Sequence, residues 1–149
     1  MSINPDLQGR TYPAGEVYQV GREKIREFAA AVKATNPAHF DVARARELGY
    51  TDVVAPPTFA VIVAQRADAR LVADPDAGID FSRVVHADQR FTHHRPIVAG
   101  DELVAELHVD SVRAMGDGAL ISTRAEISTP DGERVATTLS SILVRGEGK

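Results

Sequence analysis

A chain of 149 residues holds enough material for one domain with one substantial core. Its 17 lysines and arginines against 21 acidic residues leave a net charge of −4, and no basic stripe with interleaved aromatics marks a nucleic-acid footprint. With no cysteine, a disulfide framework, thiolate chemistry and cysteine-based metal sites are all excluded.

The opening MSINPDLQGRTYP lacks the apolar core of a signal peptide, and residues 1–14 read as an irregular arm. GEVYQV (15–20) suggests a short strand. Ile25, Phe28, Ala29 and Val32 fall at i, i+3, i+4 and i+7, which predicts an amphipathic helix over 22–33 with Pro37 just beyond it. Asp41 suits the N-cap of a short helix over 42–48, stopped by Gly49. Pro56 and Pro57 suit a helix start, where a missing N–H matters least. The helix that follows is apolar on every side in its first turns, which marks it as buried; Gln65, Arg66, Asp68 and Arg70 supply a wet face only later. Its most apolar run, FAVIVA (59–64), is far too short to span a bilayer, so a cytoplasmic location without a membrane partner is expected.

The second half changes period. A strand is expected over 83–94, and GDEL (100–103) reads as a turn leading into the next. In 103–113 Leu103, Ala105, Leu107 and Val109 alternate with Glu106, His108 and Asp110. Ala119, Ile121, Ala125 and Ile127 alternate with Ser122, Arg124 and Glu126, and Val135, Leu139 and Leu143 follow less cleanly. MGDG (115–118) and PDG (130–132) carry tight-turn chemistry, so the runs pair as an antiparallel meander. One apolar helix and four or five antiparallel strands specify an α+β domain over 1–149, a single antiparallel sheet wrapped around a long buried central helix in a hot-dog arrangement. A sheet with an open edge favours a dimer.

Three stretches carry a family likeness. ATNPAHFDVARARELGY resembles the hydratase motif of the MaoC-like (R)-specific enoyl-thioester hydratases, and VVAPPTFA and VVHADQRFTHHRPIVAGDELVAE resemble matching segments of the MaoC N-terminal type. The closest likeness is to the A subunit of the actinobacterial (3R)-hydroxyacyl-ACP dehydratase heterodimers, from about Tyr18 to Val144. The resemblance implies paired hot-dog subunits and an acyl-thioester substrate on acyl carrier protein or coenzyme A. It calls for no cofactor, and no metal or nucleic-acid site is expected.

Dehydration of a 3-hydroxyacyl thioester needs a base at C2, an acid for the departing hydroxyl, and a donor to the thioester oxygen. By the resemblance, His39 matches the family histidine, with Asn36 the polar residue beside it. The family's aspartate position holds Ala34. Pro56 and Pro57 offer no N–H, so Thr58 is the first possible oxyanion donor, with Phe59 and Ile62 beside it toward an acyl channel. Each feature also fits a plainer role. His39 could simply hydrogen-bond across its own loop, Thr58 could start a helix, and Phe59, Ile62 and Val63 could be core. Asp41 fits a cap better than a relocated base. His86, Asp88 and His94 share strand parity, but positions roughly 7 Å apart per pair do not converge on one ion. His93 and His94 point to opposite faces.

Three functions are compatible with this reading. The chain is a dehydratase subunit that shapes the acyl channel beside a catalytic partner, or a homodimeric hydratase using His39. It is otherwise a non-catalytic acyl-thioester binding module or thioesterase.

Overall fold

The structure is a computed structural model that describes residues 3–147. The elements in chain order are strands β1 (Thr11–Tyr12) and β2 (Tyr18–Gln19), then helices α1 (Arg22–Ala31), α2 (Val42–Glu47) and α3 (Ala60–Ala73). Four long strands follow: β3 (Val84–His93), β4 (Glu102–Met115), β5 (Gly118–Ser128) and β6 (Arg134–Val144). The sheet order is β1-β4-β5-β6-β3, with β2 also pairing β4, and every pairing is antiparallel. α3 packs against β4, β5 and β6, so the sheet wraps the central helix in the α+β hot-dog arrangement.

The alternation expected of the meander is present. Leu103, Leu107 and Val109 of β4, Ile121 and Ile127 of β5 and Val135 of β6 point inward onto Ala60, Val63, Ala67 and Leu71 of α3. Small residues on the helix let the sheet approach closely, while branched side chains from the strands fill the gap. Gly116 begins the β4–β5 turn at φ +60°, a conformation that glycine adopts without steric cost.

Three local differences have physical causes. Residues 3–14, the described part of the expected irregular arm, are ordered against the rest of the fold. Leu7 is fully buried, β1 pairs with β4, and Tyr12 Oη donates to Asp74 Oδ2 at 2.6 Å, with Arg10 also paired to Asp74 and Asp76. These partners lie more than sixty residues away in sequence, which no local pattern encodes. The first helix ends at Ala31, and its expected face position Val32 is exposed. α3 begins at Ala60, after a turn in which Phe59 N–H bonds to Pro56 O at 2.9 Å.

Candidate functional site

The loop after α1 is shaped by backbone hydrogen bonds. Ala34 N–H bonds to Ala29 O at 2.8 Å and Lys33 N–H to Ala30 O at 3.1 Å, with Lys33 at φ +59°. This pairing is a Schellman closure with a lysine in the left-handed position that glycine usually fills. The reversed chain delivers Asn36 to the start of a 3-10 turn, Pro37–His39, where its Oδ1 accepts from Ala38 N–H at 3.0 Å. Asn36 is exposed, and this bond shapes the turn. Arg26 of α1 holds the far side through Phe40 O at 2.9 Å.

His39 is only 9% exposed, and its Nδ1 lies 2.6 Å from Val54 O. A carbonyl can only accept, so Nδ1 carries a proton, which in the neutral imidazole leaves the lone pair on Nε2. Among the described residues nothing hydrogen-bonds to that Nε2. The cross-loop bond and a free basic nitrogen therefore coexist: the first fixes the tautomer that makes the second available. Val54 N–H in turn bonds to Ala38 O at 3.0 Å, which locks the turn against the segment leading into α3. Ala34 is partly buried and contributes only a methyl group. Asp41 is committed elsewhere, accepting from Ala43 and Arg44 N–H at 2.8 and 3.3 Å as the cap of α2.

The oxyanion candidate sits at the other end of this segment. Thr58 is exposed, and no hydrogen bond among the described residues uses its N–H. α3 also starts without a side-chain cap; carbonyls of Pro56, Thr58 and Phe59 take the Phe59, Val61 and Ile62 N–H groups, and among the described residues no bond uses the Ala60 N–H. Pro57 O accepts from His93 Nε2 at 2.7 Å, so β3 fixes the turn that presents Thr58. His94 points elsewhere, to Thr137 Oγ1 at 3.1 Å. Phe59 is fully buried with its ring edge-on to Phe28, centroids 5.5 Å apart, whereas Ile62 is partly open. Among the described residues no group of three or more histidine, aspartate or glutamate side chains could hold a metal, and no helix is long and apolar enough to cross a membrane.

A second polar constellation escaped the sequence pattern. A cavity of about 530 Å³ lies between the C-terminal half of α3 and the sheet, walled by Leu71, Val72, Val84 and Ile142. Asp68 opens into it and accepts from Thr123 Oγ1 at 3.3 Å. Asp68 is four residues after Ala64 and three before Leu71, both buried, so it sits on the buried stripe; that spacing is the signal that marks it. His86 and Gln89, also on the wall, are joined at 3.1 Å. Residues three apart on a regular strand face opposite ways. Here a bulge between His86 and Asp88 turns them to one side and breaks the parity that grouped His86 with Asp88.

Burial pushes the Asp68 carboxyl up to about 6 from 3.8, against the opposing pull of the Thr123 hydrogen bond and the His86 charge. The native state then holds this proton more tightly than the unfolded chain. The stabilisation is complete below about pH 3.8 and is lost as pH rises through about 6. Urea titrations are expected to show the wild-type protein losing about 3 kcal/mol relative to Asp68→Asn between those limits. Parallel curves for the two proteins would contradict it.

The chain matches the family described as FAS1-like, dehydratase domain region, over residues 6–138. A UPF0336 protein of Leifsonia xyli subsp. xyli is 52% identical over 97% of both chains. In the C-terminally truncated HadBC (3R-hydroxyacyl-ACP dehydratase) complex of Mycobacterium tuberculosis, one chain is 36% identical. That match has a TM-score of 0.84 and covers 93% of this chain and 97% of that one. A MaoC-like dehydratase is also 36% identical with a TM-score of 0.85, and there this chain spans 42% of the larger polypeptide. With the helix-wrapping sheet, the Asn-Pro-x-His turn and these matches in agreement, the chain belongs to the MaoC-like, FAS1-like dehydratase-region family.

Proposed function

We propose that this protein is a subunit of a (3R)-hydroxyacyl-thioester dehydratase, shaping the acyl channel beside a second hot-dog chain that carries the intact acid–base pair. The substrate is an acyl chain carried on acyl carrier protein or coenzyme A. The observation that carries the reading is local: His39 holds the tautomer a base requires, while the adjoining carboxylate position is a methyl group at Ala34. Proton removal at C2 and protonation of the leaving hydroxyl are two tasks, and one imidazole without its carboxylate serves them poorly. Two further features support pairing. Among the described residues β3 ends the sheet with one edge unpaired, and Val85 on it and Phe81 before it are exposed. The HadBC relative is itself a complex.

In this arrangement Thr58 and Ala60 present N–H groups to an anionic oxygen, and Ile62 offers apolar contact to the acyl chain. The experiment is hydration of crotonyl and longer enoyl thioesters by the purified chain, alone and co-expressed with a candidate hot-dog partner from the same cells. Activity is expected only in the pair. Full turnover by the chain alone, abolished by His39→Ala, would overturn this reading in favour of a homodimeric hydratase. That second reading is favoured by one observation, the unengaged Nε2 of His39.

A further inference from the structure

We propose that the cavity beneath the C-terminal half of α3 is a binding site for a hydroxyl-bearing apolar molecule. In this site Asp68 accepts the hydroxyl proton, and the amide of Gln89 supplies the donor to its oxygen. The proposal does not depend on the His39 end. Asp68 lies roughly 12 Å along the helix axis from Ala60, at 1.5 Å per residue.

The wall is mostly apolar, and about 530 Å³ suits a small organic ligand. The polar groups in it are incompletely satisfied. Gln89 Nε2 is buried with no hydrogen-bond partner, because its Oε1 takes the bond with His86. Asp68 receives one long hydrogen bond, from Thr123, and among the described residues no lysine or arginine pairs with it. A carboxylate has room for about four such bonds. An under-satisfied acceptor and an unpaired donor in one apolar cavity are costly without a ligand. A hydroxyl answers both at once, since it donates through its hydrogen and accepts through its oxygen. An ether or hydrocarbon answers one or neither. A carboxylate ligand would meet Asp68 as a like charge.

The test uses the full chain at pH 7.5 with octan-1-ol and octyl methyl ether, which differ in the hydroxyl proton. Binding is followed by the methyl resonances of Thr123, Leu71 and Ile142. The alcohol is expected to bind about tenfold tighter or more, the effect of one hydrogen bond to a charged group. Asp68→Asn is expected to shrink that preference to about threefold or less, with the ether's affinity unchanged.

A second measurement needs no variant. At pH 5 a protonated Asp68 donates equally well to either oxygen, so the preference should vanish. The polar groups sharing the cavity with Asp68 are His86 and Gln89 of β3, Thr123 of β5, Ser140 of β6 and Gln65 of its own helix; of these only His86 is also titratable. Equal binding of the two probes at pH 7.5, a preference that survives both Asp68→Asn and pH 5, or shifts confined to other parts of the protein would each overturn the proposal.

Discussion

Ala34→Asp is expected to raise hydration of a short enoyl thioester by the isolated protein by about 10²–10⁴-fold, the usual contribution of one member of an acid–base pair. On the proposed reading the remaining parts are in place. The Val54 carbonyl already fixes the His39 ring with Nε2 unengaged, and the Thr58 N–H is unpaired among the described residues. The substitution falls in the Schellman turn that closes α1, where it keeps the Ala34 N–H bond and adds a negative charge near a helix C-terminus. That costs below about 1 kcal/mol, too little to confuse lost folding with absent activity. Turnover should be measured beside the His39→Ala, Ala34→Asp double variant, which is expected to return to background. A folded Ala34→Asp protein with no gain would mean that this chain retains the loop only for its shape.

Phe59→Ala is expected to destabilise the protein by about 3–5 kcal/mol, read as a large drop in the urea midpoint. Phe59 has no exposed surface and meets Phe28 edge-on at 5.5 Å, a geometry worth about 0.5–1.5 kcal/mol beyond the buried area. It joins α1 to the start of α3, so its loss opens a cavity between the two elements that frame the His39 loop. The same change at Ile62, which is partly open, should cost less and act more on acyl binding. Equal stability losses at the two positions would contradict the division between core and channel.

Local chemistry was enough to read the Asp41 cap, the Gly116 turn, the alternation of β4 and β5 and the Asn36-Pro37 turn. Each depends on residues within a few positions of one another, where period and cap preference act directly. The resemblance pointed to His39 and to Ala34 at the family's carboxylate position, but not to which ring nitrogen is free. That followed from a carbonyl fifteen residues away.

The sequence by itself determined the two periods, the tight turns and the placement of one apolar helix among antiparallel strands, because these are short-range consequences of backbone geometry and side-chain polarity. Only the tertiary structure decided the rest. It tied residues 3–14 to Asp74 and β4, let a bulge bring His86 and Gln89 to one face, and set Asp68 between α3 and the sheet. Those outcomes depend on contacts between distant segments, and the energy of burying a carboxylate or pairing a strand is set by what the rest of the chain places around it.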